Sequence, residues 1–226
     1  MARPSRAVAL TLTPDVPAAP DPALILAWLQ ARSIARGLPM PVPDRGGWRV
    51  ETGSAEELRR FVFARPVPGL VERGRTTRDP LIVLKLCGPV DLMRTLLPTN
   101  WRTEAPGYVM TCDALAASRT RLPTGYHPTL LRRGHVFEGR IESADGTIAA
   151  SGYAVEHGGV FIFDRIRTEP LHRRRGLASV LMHMLADARV AQSSQYVLVA
   201  TEAGRALYET LGWRVLSPYT TARLKV

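Results

Sequence analysis

The run RTEPLHRRRGLASVLMHML, Arg167 to Leu185, constrains this chain more than any other stretch. From Leu177 onward the apolar residues fall at Leu177, Val180, Leu181, Met184, Leu185 and Ala188, the spacing of an amphipathic helix with one buried face. Such a helix carries partial positive charge at its N-terminus, where each added cation costs about 0.3–1 kcal/mol. Here Arg173, Arg174 and Arg175 stand against Gly176 at that very end. A bound anion resolves the conflict, because backbone N–H groups, the helix dipole and nearby guanidinium groups then all face one negative charge.

Composition narrows what the anion can belong to. The formal net charge is +10, and only Lys85 and Lys225 among the 30 basic residues are lysines. The arginines are spread along the chain without the interleaved aromatic ladder of single-strand binders, so a nucleic-acid partner is the less favoured expectation. No apolar run approaches the ~18 residues of a membrane span. The basic start is followed by too short an apolar run, Ala7 to Leu12, for a signal peptide. Residues 1–20 therefore read as a Pro/Ala-rich leader of a cytoplasmic protein. Cys87 and Cys112 show neither metal spacing nor a disulfide framework, and His127, His135, His157, His172 and His183 show no metal spacing either.

Residues 21–125 predict a smaller N-terminal α/β region. A helix runs from about Pro22 to Arg36, stopped by Gly37 and Pro39. GGWRVETG predicts a strand, SAEELRRFVFA a helix capped by Ser54, PLIVLKLCG a buried strand, PVDLMRTLL a helix with Pro89 in its first turn, and GYVMTC a strand. Asp113 to Pro128 lacks a period and predicts a join. Residues 126–226 predict a second domain: a hairpin around Ala144-Asp145-Gly146, a strand VFIFDRIRT, the amphipathic helix, a strand YVLVAT, a short helix AGRALYETL, and a terminal pair of strands in WRVLSPYTTARLKV. The segments LIVLKLCGPVDLMRTLLPTNWR and YVLVATEAGRALYETLGWR share an order of strand, glycine, helix and Trp-Arg, which suggests an internal repeat.

The ordered set FIFDRIRT, Arg173-x-x-Gly176-x-Ala178 and LYETLGW, from about Leu130 to Val226, resembles the GCN5-related N-acetyltransferase (GNAT) superfamily. The resemblance implies an α/β (α+β) fold with a mixed, mostly antiparallel sheet flanked by helices, and the N-terminal half would be a degenerate copy. It implies acetyl-CoA (coenzyme A) as cofactor, bound by Ile166, Arg167 and Thr168 along a splayed strand and by Arg173, Arg174, Arg175, Gly176, Leu177, Ala178 and Ser179 around its pyrophosphate. Tyr208 matches the family's general acid near the sulfur. Asp164 is the expected general base, with Glu138 and Glu156 behind it. Where the family often places asparagine at the start of the last helix, this chain has Thr201-Glu202-Ala203-Gly204. The implied reaction is direct acetylation of a primary amine on a small molecule or amino-acid-like acceptor, in a ternary complex. The alternatives are a non-catalytic acyl-CoA sensor and an enzyme acting on nucleic acid or aminoacyl-tRNA.

Overall fold

Strands outnumber helices in the computed structural model, which describes residues 19–117 and 121–225. Most of the leader thus lies outside the described residues. The elements in order are α1 (Pro22–Arg36), β1 (Val42–Asp44), β2 (Gly47–Glu51), β3 (Arg59–Phe63), α2 (Pro68–Thr76), β4 (Ile82–Cys87), α3 (Val90–Leu96), β5 (Trp101–Thr103), β6 (Gly107–Cys112), β7 (Tyr126–Arg133), β8 (Val136–Ser143), β9 (Ile148–His157), β10 (Val160–Thr168), a 3-10 turn (Pro170–His172), α4 (Leu177–Ala186), β11 (Gln195–Thr201), α5 (Glu202–Thr210) and β12 (Arg214–Leu224).

All the strands among the described residues join one mixed, mostly antiparallel sheet in the order β1-β2-β3-β4-β12-β6-β11-β10-β9-β8-β7, with β5 also on β12. Only β3 with β4 and β10 with β11 pair in parallel. Each parallel pair is bridged by a helix, α2 in the first case and α4 in the second, as a parallel crossover requires. The helices form layers on both faces. Ile25, Trp28 and Leu29 of α1 pack with Val160, Ile162 and Val197 on one face. Leu177, Leu181 and Leu185 of α4 cover Phe161, Phe163 and Leu198 on the other. Leu70 of α2 and Met93 of α3 cover Phe61, Phe63, Leu84 and Leu86 beside them. Leu181 is fully buried, so truncating it to alanine costs about 2–5 kcal/mol.

The middle of the sheet ties the two halves together. Residues 101–112, as β5 and β6, run antiparallel to β12, from Trp101 opposite Leu224 to Thr111 opposite Arg214. β6 also pairs with β11, and β12 also pairs with β4. Each half thus contributes a strand to the other's sheet. The order from β3 to β10 reads the same from either end, and the repeated strand, helix and Trp-Arg of the sequence fall at matching places in it: β4, α3 and Trp101; β11, α5 and Trp213.

Four expectations need correction. The helix expected after Ser54 is a bend followed by β3. Thr52 and Ser54 donate their hydroxyls to the Glu57 carbonyl, and Phe61 and Phe63 are buried on one face while Arg60 and Val62 are buried on the other. The expected terminal pair of strands is the single strand β12, irregular between Val215 and Ser217 where it accommodates Pro218. The expected join overlaps the start of β7, and α3 begins just after Pro89, which is its N-cap.

Candidate active site

β10 and β11 pair at Val160–Gln195, Phe161–Tyr196 and Ile162–Val197, and then part. β11 stays on β6 through Thr201, and β10 stays on β9 through Thr168 after a bulge between Asp164 and Arg167. Arg165, inside the bulge, has a φ of +54°, a conformation L residues seldom adopt. The result is a wedge between two strands whose facing backbone groups do not pair with each other. Such an edge accepts an extended, amide-bearing chain as an added strand would.

The N-terminus of α4 closes the wedge. The connection from Glu169 passes through the 3-10 turn to Gly176, which is the N-cap of α4 at φ +76° and supplies no side-chain cap. Glycine is needed there because a Cβ in that region is strained. The first-turn N–H groups of an α-helix have no acceptor within it. Arg174 is also left-handed, at φ +59°, and makes no hydrogen bond or ion pair among the described residues.

A cavity of about 580 Å³ lies along this line. Ile166, Arg167 and Thr168 of β10 form one wall; Arg173, Arg174, Gly176, Leu177, Ala178 and Ser179 form its end; Ala203, Gly204, Leu207 and Tyr208 of α5 close it. The structure thus brings together nine of the ten residues expected to hold the cofactor. Arg175 is the exception: its guanidinium donates to the Tyr126 hydroxyl at 3.0 Å. The Tyr126 hydroxyl also meets His172 Nδ1 at 2.8 Å, so His172 is engaged away from the anion site. Arg167 pairs with Glu169 at 2.9 Å, and Arg173 donates to the Thr168 carbonyl at 3.3 Å.

A second cavity of about 290 Å³ adjoins the first and shares Ile166, Gly204 and Tyr208 with it. Tyr208 stands between the two, nearly buried, its ring centroid 6.1 Å from that of Trp213. Burial pushes its phenol up to about 12, so it keeps its proton at neutral pH and is available as a hydrogen-bond donor. The start of α5, where the family's asparagine is missing, is capped by Thr201 Oγ1, which accepts from Gly204 N–H at 3.2 Å.

Asp164 lines the second cavity, where its carboxylate is engaged by arginines. Its two carboxylate oxygens accept from Arg36 Nε and Nη2 at 2.7 and 2.8 Å, and Arg165 Nε lies at 3.2 Å. The other carboxylates considered, Glu138 and Glu156, line neither cavity. Burial works to raise Glu138, but the Arg140 guanidinium and the Tyr153 hydroxyl hold it below its ordinary value. Burial acts the same way on Glu156, where the Ser194 hydroxyl and the Val190 and Ala191 N–H groups prevail. Sequence reasoning missed the wall that α1 gives this cavity, Trp28, Arg32 and Arg36. Their i, i+4, i+8 spacing on an otherwise apolar helix was a readable signal.

Solved structures share this architecture. A GCN5-related N-acetyltransferase from Kribbella flavida is similar with a TM-score of 0.64 and 13% identity, over 90% of this chain and 95% of that one. Another from Sphaerobacter thermophilus has a TM-score of 0.53 at 12% identity, over 91% and 93%. A tandem GNAT protein from the clavulanic acid biosynthesis pathway has 0.54 at 10%, over 80% and 79%. No protein-family model matches the chain, and no curated protein matches its sequence. The likeness establishes the fold: this chain has the fold of the GCN5-related acetyltransferases. Among the described residues no helix is long and apolar enough to cross a membrane, and no cluster of His, Cys, Asp and Glu could hold a metal ion.

Proposed function

We propose that this chain is an acetyl-CoA-dependent N-acetyltransferase acting on a primary amine. The observation that carries the reading is the wedge between β10 and β11 running into the uncapped N-terminus of α4. The residues fit the cofactor's chemistry. N–H groups of residues 174–179 would hold its pyrophosphate beside Arg173 and Arg174, the free edge at Ile166–Thr168 would pair with its amide-bearing arm, and Tyr208 would face its sulfur. When bound, acetyl-coenzyme A supplies an acetyl group activated as a thioester, which the acceptor amine takes up directly.

Tyr208 would hold its proton and donate a hydrogen bond to the sulfur as negative charge develops there. A phenol at about 12 is a weaker acid than an ordinary thiol at ~8.5. Stabilisation by that hydrogen bond therefore matters more than complete proton transfer. Asp164, the only carboxylate among the described residues that lines either cavity, is held by Arg36, so we assign it to positioning that arginine and leave the amine's proton to water. The rate then rises with pH along the acceptor's own ammonium titration. Neither cysteine suits a covalent relay: burial pushes the Cys87 thiol up to about 12, and burial also raises Cys112.

The test is thiol release from acetyl-coenzyme A with a panel of amines, compared between wild type and Tyr208→Phe. Release that depends on both amine and Tyr208 is expected. Coenzyme A binding with no release from any amine would instead assign the chain to ligand sensing. No binding at millimolar coenzyme A would remove both readings.

A further inference from the structure

The second cavity carries more information about the acceptor than its position does. Three guanidinium groups line it, those of Arg32, Arg36 and Arg165, against the single carboxylate of Asp164. Among the described residues its lining thus carries two more positive charges than negative ones.

The three arginines are not equivalent. Arg36 spends two donors on Asp164. Arg165 donates to the Ala35 carbonyl at 2.6 Å and stacks over Tyr153, its guanidinium carbon 3.9 Å from the ring centroid. Arg32 is the least committed, held only by a long ion pair with Asp164. Its closest approach to Asp164 is 3.7 Å, beyond hydrogen-bond reach, and it makes no hydrogen bond among the described residues. Its guanidinium carbon lies 5.5 Å from the Trp28 ring centroid, and its side chain is only 20% exposed. A planar fork of donors, steadied by an aromatic ring and turned towards a cavity, suits an oxyanion that accepts in pairs.

The cavity also abuts Tyr208, where the acetyl group would be presented. A molecule filling it would meet both the arginines and Tyr208, which line the same cavity. We infer that the acceptor is a small amine carrying an anionic group, a carboxylate or a phosphate, and that Arg32 recognises that anion. This rests on the acetyltransferase reading for the amine, and on the cavity's own charge for the anion. About 290 Å³ sits at the low end of small-molecule sites, which restricts the acceptor to a compact molecule.

The experiment measures binding, so that it does not depend on turnover. The full-length chain, with and without saturating coenzyme A, is titrated calorimetrically with matched pairs: glycine and glycinamide, leucine and leucinamide, 4-aminobutyrate and butylamine, O-phosphoethanolamine and ethanolamine. The acidic member of at least one pair is expected to bind roughly tenfold to hundredfold more tightly. The first three pairs report a carboxylate and the last a phosphate. Arg32→Gln should erase that preference, Arg32→Lys should keep part of it, and thermal midpoints should show that both variants fold. Equal affinity within every pair, a preference that survives Arg32→Gln, or no binding by any acidic amine at millimolar concentration would overturn the inference. Thiol release is scored separately. Anion-dependent binding without release sinks the catalytic reading alone, whereas release without anion preference sinks only this inference.

Discussion

In the C-terminal half β10 and β11 pair over three residues and then part; in the N-terminal half β3 and β4 pair over five, Arg59–Phe63 against Ile82–Leu86, and stay closed. The connection to the helix is 169–176 in the first case and 64–67 in the second. α4 starts uncapped at a left-handed glycine. α2 starts with Pro68, and Gly69 is pressed so closely on the β1–β2 turn that a Cβ there would lie 2.0 Å from the Arg45 carbonyl oxygen. That turn is fastened to α2 by Asp44, which accepts from Arg73 Nε at 3.0 Å, and by the Arg45–Glu72 pair. Trp101 donates its indole N–H to the Gly74 carbonyl at 2.9 Å, while Trp213 Nε1 is buried without a partner among the described residues. Five residues before each tryptophan stands Leu96 in one half and Tyr208 in the other. In the C-terminal half the strands part and the helix start lines a cavity; in the N-terminal half the strands stay paired and the helix start is packed against the β1–β2 turn.

The sharpest test of that contrast is at the matched positions before the tryptophans. Tyr208→Phe is expected to lower kcat by about 10²- to 10³-fold with coenzyme A affinity unchanged, whereas Leu96→Ala should change thermal stability and leave kcat within about twofold. Steady-state kinetics beside thermal melts would read both, and equal kinetic effects would break the comparison. Next come the two glycines. Gly69→Ala should cost about 2–3 kcal/mol, or roughly 5–10 °C in midpoint, because backbone must move. Gly176→Ala should cost about 1 kcal/mol in stability from its positive φ and mainly weaken coenzyme A binding. A harmless Gly69→Ala would mean that α2's start is not sealed.

Smaller effects are expected from the arginines at α4. Arg174→Ala should weaken coenzyme A about fivefold to tenfold and reduce the salt sensitivity of binding, while Arg175→Ala, whose guanidinium turns to Tyr126, should change it less than twofold. Titration calorimetry at two ionic strengths separates them. The smallest concerns Lys85, whose ammonium burial pulls down to about 8 from 10.5. Between those pH values the unfolded chain binds the proton that the folded chain has lost, so this lysine's contribution makes stability rise with pH there. Lys85→Met should flatten that rise in denaturant melts taken from pH 7.5 to 10.5. An unchanged slope would show that the N-terminal half does not hold its lysine in a desolvated setting.

Local pattern explains what could be read in advance. α1, β4 and α4 carry their own periodicity, and the Asp145-Gly146 turn sets the β8–β9 hairpin. β3 could not be read that way. RRFVF is buried on both faces, with Arg60 paired to Glu57, so no alternation marks it, while Ser54 and the glutamates imitate a helix start. The exchange of β6 and β12 depends on pairings more than a hundred residues apart, which no window reveals. In the site, the cations at α4 were legible because they contradicted the helix dipole. Which of them turned away was not, since Arg175 answers to Tyr126, 49 residues distant. Asp164 was legible as a carboxylate in the right strand, but its partner Arg36 lies 128 residues earlier in another layer.

The strand exchange at the centre bears on how the molecule is made. During synthesis β4 emerges early with one edge bare, and the strand that covers it, β12, spans residues 214–224. The N-terminal half therefore cannot close its sheet until β12 has been made. Folding on the ribosome should stall at an open-edged intermediate that needs shielding until translation has passed β12.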